Sequence, residues 1–203
     1  MRKTLTALLL ALTLTVTGTG ALFLLNRPVC EARWDGDIDQ DMVVRAVADF
    51  RHAEGCKVFR IDLNSPGGEV VAGIDLIRQI EKAREQGQIV EFHGGGIVAS
   101  MATVVIAAGS PGHRYVYLYA LVVVHGVQVS EGPFGGRECF FPVAPLTTER
   151  DKIGSALIDT MAILMSKYTG KPIEVTKSWM KCGNEQYGNG LLLIRLGLAD
   201  HLE

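Results

Sequence analysis

Hydrophobic positions change period several times along the chain, and the first stretch stands apart. After Arg2 and Lys3, Leu5 to Leu25 runs 21 residues without a charge. Nothing charged interrupts the run to give a helix a solvated face, and about 20 predominantly apolar residues suffice to cross a bilayer. A cationic start followed by an apolar run is the pattern of an export signal or membrane anchor. Residues 1–31 are therefore expected to be a signal peptide or anchor, and 32–203 the folded domain. Cleavage after Ala32 would put Cys30 and Ala32 at the two small-residue positions. A retained anchor would leave Arg2 and Lys3 on the cytoplasmic side. In both cases the domain is expected outside the cytoplasm, periplasmic or extracytoplasmic, held to the inner membrane by residues 5–25 if they are kept.

Beyond this run the pattern alternates between periods of two and 3.6. Trp34 to Ile38 predicts a short strand, and Asp39 to Glu54 a helix with Val43, Val44, Val47 and Phe50 on one face. Val58 to Leu63 alternates like a strand and stops at the turn cluster Asn64-Ser65-Pro66-Gly67-Gly68. Val70 to Arg84 returns to helical spacing. Ile89 to Phe92 predicts a strand, with Gly94-Gly95-Gly96 as a tight connection. Ser100 to Ala108, small and β-branched, reads as a buried helix. Arg114 to Leu118 and Leu121 to Val124 read as strands, the second followed by His125. After a loop rich in Gly and Pro, helices are expected over Thr147 to Tyr168, near Ile173 to Met180, and over Gly190 to Asp200 with a turn at Gly197. Strand–helix alternation of this kind predicts an α/β fold of parallel βαβ units. No repeat or Pro/Ser-rich linker divides it.

The chain has 203 residues, 48% of them hydrophobic and 21% charged, which excludes disorder and suits one domain with a real core. With 20 Lys+Arg against 22 Asp+Glu there is no basic excess to meet a phosphate backbone, so no nucleic-acid partner is expected. Cys30, Cys56, Cys139 and Cys182 include no CxxC pair, which removes support for a zinc or thioredoxin site. In an oxidising compartment they can form two disulfides, with three pairings open; four buried thiols are the alternative. No metal or organic cofactor is implied, since Gly94-Gly95-Gly96 fits neither a dinucleotide nor a P-loop spacing.

Four local features carry candidate chemistry. The Gly67-Gly68 pair follows a strand and precedes a helix, where backbone amides can point outward and hold an oxyanion. Ser100 opens a helix, where the macrodipole favours an alkoxide, and the Met101 amide would be a second oxyanion donor. His125 lies at the carboxyl end of a buried strand, where sites in α/β sheets form; histidine, titrating near neutrality, is a natural general base for Ser100. The last feature, Leu196-Gly197-Leu198-Ala199-Asp200, is by itself a helix C-cap.

In this order, with Ala108-Gly109 and Arg114 between, the features resemble the proteolytic subunit of Clp protease, ClpP. The likeness runs from about Trp34 to Asp200 and is strongest from Ile61 to His125; the 25-residue step from Ser100 to His125 is similar to that family's. It implies a ClpP/crotonase-like fold of stacked βαβ units, with the Thr147 to Tyr168 helix as a projecting handle for homo-oligomer contacts. It also implies a serine endopeptidase acting on peptides or proteins, with Ser100 as nucleophile, His125 as base, and Gly68 and Met101 as oxyanion amides.

The sequence departs from that pattern in three places. Lys82 to Gln88 forms an insertion. The position of the family's catalytic aspartate falls at Glu185, with Asn184 beside it, and either can orient a histidine. The export segment is the third departure, and exported relatives resemble signal peptide peptidase A, which uses a Ser-Lys dyad on the same fold; Lys152 would be that lysine. A non-catalytic oligomeric scaffold and acyl-CoA chemistry on the related crotonase fold complete the alternatives.

Overall fold

The computed structural model describes residues 28–130, 137–140 and 146–203. The expected export segment therefore lies almost wholly outside the described residues, and among these no helix is long and apolar enough to cross a membrane. The first strand, β1 (Val29–Asp35), begins inside the stretch set apart by sequence. It is followed by α1 (Gln40–His52), β2 (Val58–Ser65), α2 (Val70–Glu85), β3 (Ile89–Ala99) and α3 (Met101–Ala107). Then come β4 (Arg114–Val116), β5 (Leu121–Val124), β6 (Gln128–Ser130) and β7 (Arg137–Cys139). The chain closes with α4 (Glu149–Thr169), α5 (Ile173–Trp179), β8 (Gln186–Gly188), α6 (Gly190–Leu196) and β9 (His201–Leu202).

The main sheet has the order β1-β2-β3-β4-β9, all parallel, with β5 parallel to the far half of β3 and β8 antiparallel to β5. Alternation along β2 and β3 divides the sheet into two faces. Phe59, Ile61, Leu63, Val90 and Phe92 are buried on one face, beneath the helices. Trp34 packs edge-on against Phe50 and Phe92 there, at 6.0 and 5.9 Å between ring centres. Arg60, Glu91 and His93 belong to the other face.

Helix α1 starts where Asp39 accepts a hydrogen bond from the Met42 amide at 2.9 Å. Its buried positions are Met42 and Ala46, while Val44, expected on the inner face, is exposed. All seven residues of α3 are buried, as their small and β-branched character predicts. Helix α4 opens with a capping box between Thr148 and Asp151 and ends at Gly170 in the left-handed region.

The largest difference from the sequence reading is in β3. The glycine triplet does not end the strand; it bends it. Leu63 faces Gly94 and Ser65 faces Val98, so β3 spends four residues where β2 spends two. Before the bend β3 pairs with β4, and after it with β5. Gly96 sits at φ +61°, and a Cβ there would come 2.4 Å from Asn64 Oδ1. That oxygen accepts the Ile97 amide at 2.9 Å, while Asn64 Nδ2 donates to Asp35 at 3.0 Å. A side-chain amide thus fills the gap in the ladder. Short β8 and β9 and the β6–β7 hairpin were not expected, because strands of two or three residues show no period.

The cysteines resolve the open pairing as Cys30–Cys56 and Cys139–Cys182, with Cα separations of 6.0 and 5.7 Å.

Candidate active site

The bend in β3 delivers the strand into a sharp turn at Ser100. This residue has φ 54° and ψ −126°, and among the described residues it is the one non-glycine with positive φ. Such a conformation costs about 1–3 kcal/mol and persists only where its surroundings enforce it. Here they do. The Ser100 amide donates to the Val123 carbonyl at 2.8 Å, and its carbonyl accepts from both the amide and the hydroxyl of Thr103, at 3.0 and 2.7 Å. The Ser100 side chain makes no capping bond to the helix it precedes, so its hydroxyl is not consumed there. A strained serine between a strand and a buried helix is the geometry of a nucleophile elbow.

The Ser65-Pro66-Gly67-Gly68 turn packs against this elbow. A Cβ on Gly67 would lie 2.5 Å from Ser100 Cβ and 2.9 Å from the Met101 amide nitrogen. One on Gly68 would lie 2.2 Å from the Ile38 carbonyl oxygen. Only a glycine pair fits between β1's exit and the serine. The fully buried Ser65 shapes the turn, its hydroxyl accepting the Gly67 amide at 3.1 Å. Its role is invisible in a sequence where Ser65 is one turn residue among five. Neither the Gly68 nor the Met101 amide has an acceptor among the described residues. The Met101 amide is the first of α3, a position that helices leave without an internal partner.

His125 follows β5 and lines one cleft with Ser100, Met101, Val70 and Met161. Its Nδ1 lies 2.6 Å from the Gly126 carbonyl oxygen. A carbonyl only accepts, so Nδ1 carries the hydrogen and Nε2 is left as the base. Glu185 comes near His125 at the start of β8: Val124 pairs with Gln186, and His125 and Glu185 flank this last pair, close enough for His125 to act on the carboxylate electrostatically. No hydrogen bond joins them. The carboxylate instead accepts the Gly183 amide at 3.0 Å. It is held below the usual range by the amides of Glu185 itself and Gly183, with His125 contributing least. Asn184 turns away, donating to the Ser178 carbonyl at 2.7 Å. Lys152 lies in the first turn of α4, where it pairs with Glu149 at 2.9 Å on an exposed face. The structure thus brings Ser100, Met101 and His125 together, leaves Glu185 near His125 but bonded elsewhere, and leaves Lys152 in a surface pair. A larger cavity, about 350 Å³ between the ends of α1 and α2, shares no residue with this cleft.

A mostly parallel α/β sheet with a strained serine at a strand–helix junction and a histidine at the end of the neighbouring strand is the arrangement of a ClpP-like fold. The sequence profile of the Clp protease family matches residues 37–177, and the chain belongs to that family. It is 28% identical over 130 residues to the ATP-dependent Clp protease proteolytic subunit of Leuconostoc citreum, covering 61% of this chain and 62% of that one. The protein of the same description from Chlorokybus atmophyticus is 28% identical over 140 residues, 69% of this chain and 56% of the relative. The proteolytic subunit 2 of Corynebacterium efficiens is 27% identical over 141 residues, 69% and 63% of the two chains. The matches thus span about six-tenths of these relatives' length.

Proposed function

We propose that the protein is a serine endopeptidase using Ser100 and His125. The observation that carries this reading is the positive φ of Ser100 in the lining of a cleft it shares with His125. Ser100 Oγ attacks the scissile carbonyl carbon as Nε2 of His125 takes its proton. The amides of Gly68 and Met101 receive the negative charge on the carbonyl oxygen. Collapse of the tetrahedral intermediate breaks the C–N bond, and the imidazolium returns the proton to the leaving amine. Water, deprotonated by His125, then frees the acyl group from Ser100. Glu185 acts on the imidazolium through its charge and without a direct hydrogen bond, since its carboxylate is held by the Gly183 amide. The relatives' description as proteolytic subunits supports peptide or protein substrates and self-association. An extracytoplasmic setting is supported by Arg2-Lys3 with the apolar run after it, and by two disulfides.

A fluorophosphonate probe that labels activated serines tests this directly. Labelling is expected at Ser100, lost in Ser100→Ala, cut at least a hundredfold in His125→Ala, and kept in Lys152→Ala. Loss with Lys152→Ala but not His125→Ala would assign a Ser-Lys dyad instead. No labelling of the folded protein would favour a scaffold.

A further inference from the structure

Among the described residues, no side chain receives the Nδ1 hydrogen of His125. The ring is tied to the carbonyl of the next residue, Gly126, so the orientation of the imidazole depends on where the 125–126 backbone lies. That backbone is gripped by two segments. A Cβ on Gly126 would lie 2.2 Å from the Met180 carbonyl oxygen and 3.4 Å from Cys139 Sγ, so the main chain packs against Met180 with Cys139 on the same side. Cys139 belongs to β7, whose register pairs it with Gln128, and the Phe140 amide donates to the Val127 carbonyl at 2.8 Å. Met180 precedes the turn that carries Cys182, Asn184 and Glu185 into β8. The Cys139–Cys182 bridge joins these two segments, 43 residues apart in sequence, at the point where they close on Gly126. The other bridge is built differently. Cys30 and Cys56 tie β1 to the turn before β2; no cysteine of either bridge lines the cleft itself, and what sets Cys139–Cys182 apart is the approach of Cys139 to Gly126.

We infer that the Cys139–Cys182 disulfide is a positioning device for His125, an inference that rests on the Ser100–His125 reading. Closed, it holds the Gly126 carbonyl on Nδ1 and keeps Nε2 free as the base. Opened by two electrons and two protons, it leaves two thiols. The 180–185 turn is then no longer bound to β7, and the imidazole loses its fixed tautomer. With the Glu185 carboxylate bonded to the Gly183 amide and not to His125, a covalent brace does through the backbone what a buried carboxylate does by direct contact.

The test uses the full chain carrying Cys30→Ser and Cys56→Ser, in which Cys139–Cys182 is the remaining bridge. The rate of fluorophosphonate labelling at Ser100 is followed against pH, with the bridge closed, opened by a phosphine reductant, and reoxidised. Thiols are counted by mass spectrometry. The ¹⁵N signals of His125 report the tautomer, and near-ultraviolet circular dichroism reports the fold. The expected result is a tenfold or greater fall in labelling with the bridge open, a displaced midpoint of the pH profile, and a shift from one tautomer to a mixture. Reoxidation should reverse all three without a change in dichroism. Unchanged labelling and tautomer with two free thiols would overturn the inference, as would a fall accompanied by loss of tertiary dichroism. If the closed protein does not label while its His125 tautomer still follows the bridge, the Ser-His reading fails and the brace stands.

Discussion

At the scale of single residues, the site is built by residues that oppose local preference. Ser100 takes a conformation that glycine would adopt freely, and a buried helix and a bond to Val123 keep it there. Two substitutions separate this strain from the proposed chemistry, because both remove the Ser100 hydroxyl. Ser100→Ala keeps the Cβ and its clash, whereas Ser100→Gly relieves it. Relief of about 1–3 kcal/mol outweighs the roughly 0.5–1 kcal/mol that glycine adds to the entropy of the unfolded chain. Ser100→Gly is therefore expected to be more stable than Ser100→Ala by about 1 kcal/mol, read from urea unfolding midpoints at unchanged slope. Equal midpoints would mean that the elbow stores no strain. The candidate residues themselves were legible because each sits at a boundary between periods: Gly68 and Ser100 before helices, His125 after a strand. Ser65 and Asn64 were not, since their roles are hydrogen bonds to a backbone that only the folded chain brings near.

At the scale of elements, periodicity located the long pieces and failed where a strand changes partner. Val70 to Glu85 and Glu149 to Thr169 carry enough turns for their apolar stripes to declare themselves. Strand β3 does not, because its middle is Gly94-Gly95-Gly96, which locally signals a turn. What overrides that signal is Asn64, which replaces the missing ladder bond across the bend and lets the strand continue toward Ser100. Asn64→Leu keeps the volume but leaves the Ile97 amide and the Asp35 carboxylate without this partner. The expected cost is about 2 kcal/mol in unfolding free energy, with a fall in Ser100 labelling because the elbow lies four residues past the bend. A variant of normal stability and normal labelling would show that the glycines bend the strand unaided.

At the scale of the whole molecule, the helix-covered face holds the core and the opposite face holds a polar network that ties distant segments together. Glu91 stands at its centre, 7% exposed, accepting from Arg60 at 2.8 Å and from His93 and His113 at 3.1 Å each. Arg60 also reaches Glu31 of β1 at 3.0 Å, and His93 bonds Glu203 at 2.8 Å while stacking on Tyr115. One carboxylate therefore couples β1, β2, β3, the turn before β4 and the end of the chain. Burial acts to raise its pKa, but the bonds from Arg60, His113 and His93 together outweigh burial and hold it at about 2. A group whose pKa is depressed on folding stabilises the fold at every pH above its unfolded value, near 4.5, and loses that contribution as pH falls toward 2. Acid unfolding is thus expected to steepen between about pH 4.5 and 2 in the wild type. Glu91→Gln should be less stable at pH 7 by on the order of 2–3 kcal/mol and should lack that part of the acid limb. Urea titrations at pH 7, 4.5 and 3 measure both. The difference between the two proteins must shrink as the pH drops; a constant difference would mean that the network stabilises by shape and packing and not by the charge on Glu91.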